Sequence, residues 1–88
     1  MYKIRFTETA DEDVLYWKTS GQKVAMAKIQ RLLFDMQQHP LTGLGKPEAL
    51  RFDLSGKYSR RIDSKNRIVY DVNESTLVIT IHSLRGHY

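Results

Sequence analysis

Eighty-eight residues, 41% of them hydrophobic, supply one modest core and exclude a second domain, so a single domain over 1–88 is expected. Cysteine is absent, which excludes disulfides and thiolate chemistry and agrees with a reducing compartment. No apolar run approaches the ~20 residues of a membrane span, and Met1–Arg5 lacks the apolar stretch of a secretory signal; a cytoplasmic location without membrane contact is expected.

Residues 2–6 alternate, with Tyr2, Ile4 and Phe6 on one side and Lys3 and Arg5 on the other, which predicts a half-buried strand. Thr7 or Thr9 then offers a helix N-cap, the second with Glu12 completing a capping box. Glu8, Asp11, Glu12 and Asp13 fall in the first turns of that helix, where they complement its dipole without any metal. Ala10, Val14 and Trp17 form its inward stripe. Ser20-Gly21 breaks the pattern, and a second helix follows to about Gln38, with Ala25, Ile29, Leu32, Leu33 and Met36 inward and Lys23, Lys28, Arg31 and Asp35 mostly outward. Pro40 stops it and leaves His39 as a helix-end residue.

A loop over 41–47, punctuated by Gly43, Gly45 and Pro47, lacks the Gly-Lys-Ser/Thr of a phosphate loop. Strands are predicted at about 48–53, 57–62, 67–72 and 76–83, the third with Ile68, Tyr70 and Val72 opposed to Arg67, Val69 and Asp71. The order β-α-α-β-β-β-β implies an α+β fold, a helical hairpin on one face of a mainly antiparallel sheet, with the arginine-bearing face open. Gly86-His87-Tyr88 follow the last predicted strand.

The net charge of +4 is concentrated: seven basic residues stand against three acids between Lys46 and Arg67, and the remainder is neutral. Interleaved with Phe52 and Tyr58, this segment has the footprint of a polyanion site. A solvated strand face whose charged stems cover apolar surface would have the same composition. Lys46, Glu48, Arg51, Arg60, Arg61 and Arg67, together with His87, are the residue types that metal-free RNA cleavage requires.

Four ordered blocks carry a resemblance: Gly43–Leu50, Leu54–Ile62, Asn66–Tyr70, and the His87-Tyr88 end. Together with Leu15-Tyr16-Trp17 they resemble the YoeB/Txe family of bacterial toxins, within the RelE-like superfamily of toxin–antitoxin modules. The resemblance implies a RelE-like fold and a ribosome-dependent endoribonuclease that cuts messenger RNA in the ribosomal A site. It also implies a YefM/Axe-like antitoxin of the Phd type as partner, alongside ribosome and mRNA, with a homodimer also allowed. Residue by residue, the family's catalytic glutamate corresponds to Glu48, its arginine to Arg67, its near-terminal histidine to His87 and the following tyrosine to Tyr88. Lys46 and Arg61 match basic positions toward the RNA. Three positions depart from the pattern: Gly86 stands where a tyrosine is expected, Tyr58 where tryptophan is frequent, and Arg51 in place of a lysine.

In the implied chemistry the 2′-OH attacks the adjacent phosphorus, leaving a 2′,3′-cyclic phosphate and a 5′-OH. Glu48 removes a proton, His87 donates one, and Arg67 stabilises charge on the phosphoryl oxygens. Lys46, Arg51, Arg60 and Arg61 hold the RNA, while Tyr88, Phe52 or Tyr58 stack on a nucleotide. No metal and no cofactor is required. The rival readings are a same-fold gyrase poison of the ParE kind and a non-enzymatic RNA- or ribosome-binding module.

Overall fold

The computed structural model describes residues 1–86; His87 and Tyr88 lie outside the described residues. Its elements are β1 (Lys3–Phe6), α1 (Glu8–Thr19), α2 (Lys23–Gln38), β2 (Glu48–Ala49), β3 (Tyr58–Arg61), β4 (Arg67–Asn73) and β5 (Val78–Ser83). The strands form one sheet in the order β1-β5-β4-β3-β2. β1 runs parallel to β5 and every other pairing is antiparallel, which is the mainly antiparallel α+β arrangement expected. No helix among the described residues is long and apolar enough to cross a membrane.

Local chemistry sets the boundaries. The Thr7 hydroxyl accepts from the Ala10 N–H at 3.2 Å while its own backbone stays extended, so Thr7 is the cap and Thr9 lies inside α1. α2 stops where His39 leaves helical geometry ahead of Pro40. Ala10 and Trp17 from α1 and Ile29, Leu32 and Met36 from α2 pack on Ile68, Tyr70, Ile79 and Ile81. Each of the larger side chains contributes about 1.5–3 kcal/mol by leaving water. The strand expected at 48–53 is curtailed to Glu48–Ala49: Leu50 still donates to the Lys57 carbonyl at 2.9 Å, but Phe52 takes φ 58° and the chain coils into a 3₁₀ turn over Phe52–Leu54.

Register assigns the two faces of the sheet. Residues directly opposite one another share a face, and the face alternates along each strand. Glu48 pairs with Ser59, Ser59 with Val69, and Val69 with Ser83, so these four form one transverse row. Arg61 opposite Arg67 forms the adjacent row on that face. Tyr58, Arg60, Ile68 and Tyr70 occupy the other face, which the helices cover.

Candidate active site

Glu48 is exposed on the edge strand β2, flanked by exposed Lys46 and Arg51. Lys46 at φ 53° and Phe52 at φ 58° bracket it in the left-handed region that side chains other than glycine seldom adopt, a pattern concentrated at functional sites. Phe52 is 89% exposed, an aromatic face with no burial to explain it. A cleft of about 380 Å³ runs past Glu48, Leu50, Arg51 and Phe52. Arg61 and half-buried Arg67 stand side by side on the face opposite the helices, whose centre at Ser59 and Val69 is buried. Only β3 separates β2 from β4, and Arg67 lies two residues along β4 from the Glu48 row, so at ~4.8 Å per strand and ~3.3 Å per residue the two backbones lie about 12 Å apart, a span that two side chains and a phosphodiester can fill.

The chain after β5 is held from two directions. The buried Leu84 N–H donates to the Asp13 carboxylate at 2.8 Å, and the Trp17 indole N–H donates to the Leu84 carbonyl at 2.8 Å. Two residues on, the Gly86 N–H donates to the Asn66 side-chain oxygen at 2.8 Å, and the Arg67 N–H donates to the Gly86 carbonyl at 3.0 Å. Asn66 is itself fixed by Asp63, whose carboxylate accepts from the N–H groups of Lys65 and Asn66 at 2.8 and 2.7 Å. Burial pushes the Asp63 carboxyl up, but these N–H donors outweigh it and hold it below the ordinary carboxylate range. Gly86 is thus pinned to the start of β4 with φ 71°, a conformation that would cost a tyrosine about 1–2 kcal/mol. His87 and Tyr88, the proposed acid and its neighbour, follow it in sequence outside the described residues. Sequence reasoning missed Asp13 and Asn66. The signal for Asp13 was its place on the stripe of Ala10, Val14 and Trp17, where an acid needs a buried partner.

Two residues assigned to RNA by charge and aromaticity belong elsewhere. Arg60 is fully buried on the helix-covered face. Its guanidinium pairs with Asp35 at 2.7 Å and donates to the carbonyls of His39, Thr42 and Leu44 and to the Tyr70 hydroxyl. Tyr70 in turn donates to the Pro40 carbonyl at 2.8 Å. An arginine with every donor direction committed inside the protein cannot reach a phosphate, so Arg60 is removed from the RNA-facing set. Tyr58 faces the same side, its ring centroid 5.9 Å from that of Tyr70, and is half-buried there. Asp35, expected outward, is the counter-charge: the Arg60 guanidinium beside it holds its carboxyl below the usual carboxylate range. The cluster fixes the loop that leads into β2, helped by Gly45, where a Cβ would stand 2.7 Å from a Leu32 methyl.

Comparison with known proteins agrees with this architecture. A family model described as "YoeB-like toxin of bacterial type II toxin-antitoxin system" matches residues 6–88. The chain is 44% identical over 86 residues to the toxin YoeB of Streptomyces coelicolor, covering 98% of this chain and 99% of that protein. Among solved structures, a YoeB/ParE toxin from Agrobacterium tumefaciens superposes with a TM-score of 0.91 at 34% identity, covering 98% of this chain and 99% of that one. A chain of the YoeB-YefM complex from Staphylococcus aureus superposes with a TM-score of 0.85 at 38% identity, covering 100% and 99%. With a family model over most of its length, full-length relatives and the RelE-like fold, the chain belongs to the YoeB-like toxins of bacterial type II toxin–antitoxin systems.

Proposed function

We propose that this chain is a ribosome-dependent endoribonuclease that cleaves mRNA in the ribosomal A site and is neutralised by a YefM-like antitoxin. The observation that carries this reading is the common face of Glu48, Arg61 and Arg67, with Gly86 tied to the Arg67 backbone. Glu48 takes the proton from the 2′-OH as it attacks the adjacent phosphorus. Arg67, whose planar fork suits a phosphoryl group, stabilises the charge that builds on the equatorial oxygens. His87 returns a proton to the departing 5′-oxygen, and Tyr88 orients the nucleotide. Exposed Lys46, Arg51 and Arg61 hold the backbone, and Phe52 offers a stacking surface. The same basic face suits an acidic antitoxin segment that orders on binding and covers Glu48.

The test is purified protein with programmed bacterial ribosomes, read by primer extension and by end-group analysis of the products. The expected outcome is one A-site cut leaving a 2′,3′-cyclic phosphate and a 5′-OH, abolished by 2′-deoxy substitution at the cut nucleotide. A 5′-phosphate product would mean that water is the nucleophile and would overturn the roles given to Glu48 and His87. Translation arrest without a cut would favour a binding module.

A further inference from the structure

A second recess on the face opposite the helices, of about 280 Å³, is lined by Leu54, Lys57, Val69, His82, Ser83 and Arg85 and ends at Gly86. Its size is close to the ~300 Å³ at which small-molecule sites begin. A β-bulge builds it. The β4–β5 register runs from Val69 opposite Ser83 to Tyr70 opposite Ile81, leaving His82 as an extra residue on β5. Instead of alternating, His82 and Ser83 both line the recess. The bulge is anchored, because the His82 carbonyl accepts from the Thr7 hydroxyl at 3.2 Å. Asp71, on the same face, sits 2.6 Å from His82 Nε2 and fixes the ring, leaving Nδ1 as its remaining polar atom. The Arg85 guanidinium is drawn to α1, 3.6 Å over the Tyr16 ring, so its stem forms wall and Lys57 supplies the rim cation.

An apolar floor, two groups able to hydrogen-bond an edge, and one ammonium at the rim match the three parts of a nucleotide: base face, base edge and phosphate. A bare phosphate would gain nothing from Val69 and Leu54. We propose that this recess is a base-reading subsite. A message nucleotide flanking the cut lays its base on Val69 and Leu54, presents its edge to His82 and Ser83, and places its phosphate on Lys57. This rests on the proposed RNA substrate and names residues that select among codons.

The experiment compares wild type with His82→Ala, His82→Gln and Lys57→Met on ribosomes carrying a panel of A-site codons. Single-turnover rates are measured, together with affinities for the same complexes blocked by 2′-O-methylation and for an acidic antitoxin peptide. His82→Ala should compress the spread between best and worst codons by about tenfold, with His82→Gln intermediate, whereas lost folding would lower every codon alike. Lys57→Met should weaken binding on all codons and reduce the salt slope by about one. If the wild type cuts and the variants keep its codon ranking and spread, the subsite is refuted while the nuclease reading stands. Codon-dependent binding without cutting, lost in His82→Ala, would leave the subsite standing and refute the nuclease. Loss of affinity for an acidic antitoxin peptide with codon ratios unchanged would assign the recess to the antitoxin, and a wild type that neither cuts nor binds by codon overturns both.

Discussion

Replacing Arg60 by methionine separates the structural reading of this residue from the one its charge suggests. The substitution keeps much of the stem but removes a guanidinium that pairs with Asp35 and satisfies three loop carbonyls and the Tyr70 hydroxyl. Breaking a buried ion pair from one side costs about 3–5 kcal/mol. The Asp35 side chain retains 21% exposure and can be partly rehydrated, so the lower end, about 3 kcal/mol, is expected. Against a total of roughly 4–13 kcal/mol for a domain of this size, that is a large fraction, and at about 4–8 °C per kcal/mol it lowers Tm by at least about 12 °C. Urea unfolding followed by circular dichroism reads the free-energy loss directly, and a thermal scan reads the shift in Tm. The loss should also depend on pH. Because the Asp35 carboxyl is held below its ordinary value of 3.8, the pair stabilises the fold above that value and ceases to do so as the pH falls through the lowered one. The gap between wild type and variant should therefore narrow in acid. An unchanged urea midpoint combined with weaker RNA binding would refute this reasoning and return Arg60 to the RNA-facing set.

Asp13→Ala leaves the buried Leu84 N–H unpaired and should cost about 1–3 kcal/mol in urea unfolding; its single-turnover cleavage should fall further than that of a core variant of equal stability. Lys46→Ala, Arg51→Ala and Arg61→Ala should each weaken ribosome association and reduce the salt slope by up to about one, whereas Arg67→Ala should slow cleavage at saturating protein. If Arg67→Ala changes only apparent affinity, its transition-state role is wrong. Glu48→Gln should slow single-turnover cleavage by roughly 10²–10⁴ with an unchanged unfolding midpoint, since Glu48 is exposed on an edge strand.

Periodicity made most of the fold legible. The stripes of Ala10, Val14 and Trp17 and of Ile29, Leu32 and Met36 are local patterns, and the alternation through Ile68, Tyr70 and Val72 told which side of β4 the helices cover. The same alternation, carried along β3, places Arg60 with Tyr58 on the covered face. Charge composition pointed the other way because the counter-ion, Asp35, is 25 residues distant on a helix face that otherwise reads as solvated. The premature end of β2 and the bulge at His82 arise from pairing between strands, so no window of the sequence contains them. The basic segment and Glu48 were legible as residue types, whereas the tail clamp joins Asp13 to Leu84 and Asn66 to Gly86 across separations that only the folded chain closes.

The proposed site is therefore divided between two segments that share no hydrogen-bonding partner among the residues named above. Arg60 and Gly45 hold the approach to Glu48 by reaching into α2, while Asp13, Trp17 and Asn66 hold the chain up to Gly86 by reaching into α1 and the start of β4. Each clamp ties one of these segments to the core. Gly86 is exposed and fastened by few bonds, so its local opening requires much less free energy than global unfolding. An antitoxin acting on this half would need to displace only the chain around Gly86, leaving the helices and the sheet folded. Neutralisation of that kind would shorten hydrogen-exchange protection at Leu84, Gly86 and Arg67 while leaving Ile79 and Ile81 protected. Capping of Glu48 without tail displacement would instead protect all five amides.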